Sequence, residues 1–176
     1  MRARSYGISA WVLLAVCGAN ATVHDVPDDF GTIQAAITAS THGDTVLVAP
    51  GTYEENIVFY GREIVVASWY LTTGDTTYVE TTSVFGSANG PVVRFVDGEG
   101  RATRLVGVTL HGGHAQSGGG IMIQDSAPVI VGNRITGNAG GSYFGGGIGS
   151  RNSTPVITDN LIADNGECQF GGGMFY

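Results

Sequence analysis

A chain of 176 residues with 43% hydrophobic side chains can form one ordinary domain with a sizeable core, and it is too apolar for global disorder. Its 29 glycines come with only 5 prolines and show no three-residue period, which excludes collagen and points to turns. A net charge of -7, with no run of basic residues, argues against nucleic acid or an anionic membrane surface as partner.

Residues 1–21 read as a secretory signal peptide cut after Ala21. Arg2 and Arg4 give a basic start, Ile8 to Val16 an apolar run, and Ala19-Asn20-Ala21 a small-x-small cleavage site. The run is far shorter than the roughly 20 residues that span a bilayer, and no later segment is long and apolar, so the mature part is expected to be secreted or at the cell surface, without an integral membrane segment. "LAVC" (Leu14 to Cys17) has the outline of a lipoprotein box, but Val16 stands where a small residue is preferred, which leaves lipidation at Cys17 as the minor alternative. If Cys17 departs with the signal, Cys168 is unpaired.

Residues 22–45 read as an N-terminal cap. Phe30, Ile33 and Ile37 fall on one helical face, Thr32 can cap the first turn, and Gly43-Asp44 ends the segment before a strand at Val46-Leu47-Val48. "PGTYEEN" (Pro50 to Asn56) follows, and then "DGEG" (Asp97 to Gly100), a turn between strands at Val92 to Val96 and Arg104 to Val108.

Residues 46–176 read as stacked coils. Glycine triplets begin at Gly118, Gly145 and Gly171, 27 and 26 residues apart, within the range expected of repeat architectures. Pro128 maps onto Pro155, Ile130 onto Ile157, Asn133 onto Asn160, Ile135 onto Ile162 and Asn138 onto Asn165. "LVGVTLHGG" (Leu105 to Gly113) extends the pattern upstream. The apolar runs are short, rich in Val and Ile and broken by Gly, Asn, Asp or Pro, which predicts strands and turns with no room for an ordinary helix. Such units bury their apolar faces only by stacking, so the isoleucines should form inward files and the asparagines a hydrogen-bonded ladder. Tyr176 falls inside a third repeat, and the solenoid is expected to continue beyond it.

The Gly-Gly-Gly-Ile, Ser-x-Pro-x-Ile and Asn-x-Ile-x-x-Asn elements resemble the repeat of right-handed parallel β-helix proteins with a pectin-lyase-like fold. "DDFGTIQAAITASTHGDTVLVAPGTYEENIVF" (Asp28 to Phe59) resembles the opening segment of many of them, pectin methylesterases included. The resemblance implies an all-β, right-handed parallel β-helix solenoid with a short N-terminal capping helix, and it says little about activity.

Several residue groups are candidates for chemistry. Tyr53 and Glu55 fit a Gly-x-Tyr-x-Glu pattern also found in pectin methylesterases, but the downstream catalytic motifs of those enzymes are not recognisable, which favours a turn. Asp159 and Asp164 flank a turn of one coil, where paired carboxylates could serve as acid, base or nucleophile on a glycosidic bond. Their counterparts one coil earlier are Gly132 and Gly137, and an Asp also favours a turn by itself. Arg134 and Arg151 with Asp125 could resemble a pectate lyase arrangement in which calcium takes part, although one Asp per coil does not supply the oxygen ligands. His111 and His114 stand three residues apart and would need a third donor to hold zinc or copper. No cofactor is otherwise implied.

The expected function is a secreted or cell-surface β-helix module that binds a glycan or serves as structure. A polysaccharide lyase or glycoside hydrolase is the alternative, and the passenger portion of an adhesin a third.

Overall fold

The computed structural model describes residues 21–87, 89–166 and 172–175, with the side chains of 141–144 left aside. The signal peptide with Cys17, and Cys168, lie outside the described residues, apart from Ala21. Among the described residues no helix is long and apolar enough to cross a membrane.

The chain runs in successive circuits. β1 (Val23–Val26) leads into α1 (Ile33–Ala39), and β2 (Thr45–Val48), β3 (Gly51–Glu54) and β4 (Ile57–Val58) form the next circuit. β5 (Val65–Ser68) is followed by a helical excursion, α2 (Tyr70–Thr73) and α3 (Thr77–Thr81), and then by β6 (Thr82–Phe85) and β7 (Val93–Phe95). The third full circuit comprises β8 (Arg104–Val106), β9 (Thr109–His111), β10 (His114–Ser117) and β11 (Ile121–Gln124). β12 (Val129–Val131), β13 (Arg134–Thr136), β14 (Ala139–Phe144) and β15 (Ile148–Arg151) repeat it, and β16 (Val156–Thr158), β17 (Leu161–Ala163) and β18 (Met174–Phe175) follow.

From β2 onward each circuit adds one strand to each of three parallel sheets, and β1 adds a strand to the first alone. The first has the order β1-β2-β5-β8-β12-β16, the second β3-β6-β9-β13-β17 and the third β4-β7-β11-β15-β18. β10 and β14 make a separate parallel pair at the corner between the second and third sheets. The fold is therefore strand-rich and built of parallel sheets, with few helices. Two details depart from the expected layout. Pairing begins at Val23, inside the stretch expected to be cap, because β1 lies on β2 in register. The α2–α3 excursion interrupts the run of strands, and Tyr70 from it covers the corner glycines Gly107 and Gly132, where any Cβ would collide with its ring.

Parallel register stacks like on like. Val46, Val66, Leu105, Ile130 and Ile157 form one inward file, and Tyr53, Val84, Leu110, Ile135 and Ile162 a second. Ile57, Val93, Ile121, Ile148 and Met174 follow the third sheet. Ile130 and Ile135 are fully buried, whereas Ile157 and Ile162 on the last described circuit are half-buried. Phe59 and Phe95 add stacked rings with centroids 4.5 Å apart.

The bends are held by amide ladders. Asn133 is 2% exposed: its Oδ1 accepts from Val108 N at 3.1 Å, and its Nδ2 donates to Leu105 O at 3.0 Å and to Asn160 Oδ1 at 3.0 Å. Asn138 and Asn165 repeat the arrangement one bend later, with Asn138 Nδ2 donating to Asn165 Oδ1 at 3.0 Å. Each side chain satisfies backbone groups that the turn would otherwise leave buried without partners. The glycine triplets answer a different need. Gly118 and Gly145 have φ of +65° and +59°, the left-handed region, while a Cβ on Gly120 or Gly147 would lie 2.5 Å from the carbonyl oxygen of Gly147 or Gly173 on the next circuit.

α1 is tied down by its neighbours. Thr32 Oγ1 accepts from Ala35 N at 3.1 Å at the N-cap, and Ile33, Ala36 and Ile37 are buried against the core. Asp44, 4% exposed, accepts from Thr22 N at 2.8 Å and Thr41 N at 2.7 Å, and its Oδ2 is 3.3 Å from His24 Nε2.

Two outcomes are expected from these contacts. Asn133→Leu leaves the groups around the bend without partners at about 1–3 kcal/mol apiece, so a melting temperature equal to the parent's would refute the ladder. The backbone N–H groups of Thr41 and Thr22, helped by His24, hold Asp44 at about 2, below its usual 3.8, against the opposing effect of burial. The unfolded chain takes up that proton first, so the stabilisation is complete above the unfolded value of 3.8 and fades as pH falls through about 2. Asp44→Asn should flatten the acid limb of the melting temperature across that window.

Candidate functional site

The outer face of the third sheet carries a groove of about 730 Å³. Strand alternation sends Val93, Phe95, Ile121 and Ile123 inward, so their neighbours Arg94 and Met122 point out. Gly149 and Phe175 continue the file of Arg94 and Met122, and Gln124 lies beside Arg151 in the next. Gly149 has no side chain, because a Cβ there would meet Ser117 Oγ at 2.5 Å, and this keeps the floor low between larger neighbours. Ala115, Gln116 and Ser117 of β10 form one wall. Arg94 and Arg151 are both exposed, and neither makes an ion pair or side-chain hydrogen bond among the described residues.

Of the sequence candidates, only Arg151 lines this groove. Its companion Arg94 was not singled out, although its place in Val-Arg-Phe, between two inward residues, marks it as outward-facing.

The aspartate candidates all occupy left-handed corners. Asp159 (φ +57°) succeeds Gly107 and Gly132, Asp164 (φ +54°) succeeds Gly112 and Gly137, and Asp125 (φ +51°) is succeeded by Asn152 (φ +50°) in a third column. Gly, Asn and Asp are the residues that tolerate this conformation, so their exchange from circuit to circuit follows from backbone geometry. Asp159 and Asp164 stand at separate bends on either side of β17, not around one turn. An extended strand of that length separates their backbones by on the order of 15 Å.

The metal candidates are likewise dispersed. His111 ends β9 with its Nε2 2.7 Å from Ser83 Oγ, exposed His114 begins β10, and Asp125 follows β11 in the third sheet and accepts from Gln124 Nε2 at 3.2 Å. Among the described residues no three His, Cys, Asp or Glu side chains gather.

"PGTYEEN" clamps α1. Glu55 Oε1 and Oε2 accept from Ile33 N at 2.9 Å and Gln34 N at 2.8 Å, meeting the open donors of the helix, and Gln34 in turn bonds Val58 through both its amide atoms. Tyr53 donates to Ala49 O at 2.9 Å, and burial, then the charges of Glu55 and Asp28, push its hydroxyl above the usual 10.0. Glu55 thus joins helix to sheet, while Tyr53 ties β3 to the segment that follows β2.

Glu99 escaped sequence reasoning. It is 1% exposed, and its carboxylate accepts from Gly61 N at 3.0 Å, Asp97 N at 3.0 Å and Ser126 Oγ at 2.8 Å. Ser126 N is bonded to Ser153 Oγ at 3.1 Å, so the serine of each Ser-x-Pro element belongs to one polar column.

Glu55→Ala removes the acceptor from two helix donors and should lower stability by about 1–2 kcal/mol, measured by urea unfolding. Glu55→Gln should recover part of the loss, and an unchanged midpoint for both variants would count against the clamp.

No protein-family model matches the chain, and neither does any curated protein or solved structure.

Proposed function

We propose that the protein is an exported binding module, a right-handed parallel β-helix capped at one end by α1, whose lateral groove holds an acidic glycan. The handedness follows the general rule for crossovers between parallel strands of one sheet. The capping role rests on Ile33, Ala36 and Ile37, which α1 buries against the first circuits.

The observation that carries the reading is the groove's charge. The chain has net charge -7, and its 8 basic residues are all arginines, yet Arg94 and Arg151 line the groove and, among the described residues, no Asp or Glu lines it. Guanidinium groups recognise carboxylates or sulfates through paired N–H donors. Gln116, Gln124 and Asn152 offer donors and acceptors to hydroxyls, and Met122 offers an apolar surface to a sugar ring. Among the described residues the lining has no paired carboxylates of the kind hydrolysis requires, which supports holding over cleaving.

The test is retention of the purified full chain on a polygalacturonate gel and on a neutral glucan gel. Polygalacturonate should retain it in a salt-sensitive manner, and Arg94→Ala with Arg151→Ala should weaken binding by about tenfold or more while the melting temperature holds. Equal retention on both gels, or on neither, would sink the proposal. New reducing ends or unsaturated products would replace it with the lyase or hydrolase reading.

A further inference from the structure

We propose that Ser83 and His111 form a serine acyl-transfer site for small esters, on a face of the protein separate from the groove. Ser83 lies on β6 and His111 on the adjacent β9 of the second sheet, where Ser83 pairs with Thr109, Val84 with Leu110 and Phe85 with His111. Val84 and Leu110 are 1% and 0% exposed, so alternation throws Ser83 and His111 onto the outer face, where both stay partly open to solvent. There Ser83 Oγ lies 2.7 Å from His111 Nε2, the reach at which an imidazole removes a hydroxyl proton.

The surroundings suit that role. Thr109, the neighbouring hydroxyl, is turned away and donates to Val79 O at 2.7 Å, leaving Ser83 without a competitor for the imidazole. The Phe85 ring packs against His111 with centroids 5.0 Å apart and is 40% exposed, which fixes the imidazole plane and leaves an apolar surface for a short acyl group. Arg134 pairs with Thr109 from the other side and so continues the file of Ser83. It makes no ion pair or side-chain hydrogen bond among the described residues, and it supplies the nearest positive charge along that file for a developing oxyanion.

With its own proton on Nδ1, His111 accepts the Ser83 proton at Nε2 as Oγ bonds to the ester carbonyl carbon. The bond from that carbon to the alcohol oxygen then breaks, and the alcohol leaves with the proton from Nε2. Water, deprotonated by the same nitrogen, attacks the acyl-serine and releases the carboxylic acid, which restores Ser83 and His111.

The experiment is incubation of the full chain with p-nitrophenyl acetate, followed by release of p-nitrophenolate and by peptide mass spectrometry. The chain contains no lysine, so background acetylation of side-chain amines is absent. The expected result is an initial burst with one acetyl group on the peptide that holds Ser83. Ser83→Ala should abolish it, and His111→Gln should slow it by about a hundredfold or more, with both variants melting cooperatively. Ser87→Ala and the Arg94, Arg151 double variant should acylate at the parent rate, which separates this site from the groove. The absence of acetyl on Ser83, its spread over other serines, or an unchanged rate in His111→Gln would overturn the proposal.

Discussion

Parallel backbone pairing between circuits is the constraint from which the rest of the structure follows. When Val129 to Val131 lie in register on both Arg104 to Val106 and Val156 to Thr158, every side chain faces its counterpart one circuit away. With neighbouring strands about 4.8 Å apart, a position must hold a residue able to stack on its own kind. Branched aliphatic residues do so inside, and asparagines do so at the bends, where one amide serves both its own turn and the next. At the glycine triplets the adjoining backbone leaves no volume for a Cβ.

The same constraint shapes the surface. Whatever does not point inward appears as a file on an outer face, so Arg94, Met122 and Gly149 lie side by side although they are distant in the chain. A groove results where the file contains a glycine and where the corner between two sheets lengthens into the β10–β14 pair. Buried polar groups meet a stricter demand. Glu99 and Asp44 are tolerated at 1% and 4% exposure because each carboxylate accepts several hydrogen bonds. The arginines of the groove face water and carry no such obligation, which leaves their donors available to a ligand.

The left-handed corners show how a repeat can disguise structural residues as chemical ones. Aspartate in place of a corner glycine looks like a gain of function when one coil is compared with the previous one. In the folded chain Asp159 and Asp164 share the backbone conformation of Gly132 and Gly137, and that conformation accounts for the exchange. The substitution of Gly by Asp or Asn at one fixed place in a repeat was itself the signal of positive φ.

The sequence by itself determined what depends on local pattern and on period: the positions of most strands, the isoleucine files, the asparagine ladders, the helical face of Ile33 and Ile37, and the glycine bends. These follow because a tight repeat places residue i against its counterpart about 27 positions on whatever else the chain does. Only the tertiary structure decided the contacts that break the repeat. Glu55 reaches a helix 22 residues earlier, Glu99 holds a turn 38 residues away, and Ser83 meets His111 across 28 residues. The pairing of Arg151 with Arg94 in one groove belongs with them. Such contacts depend on which face and corner each side chain occupies once the sheets are assembled, and no spacing along the chain encodes that placement.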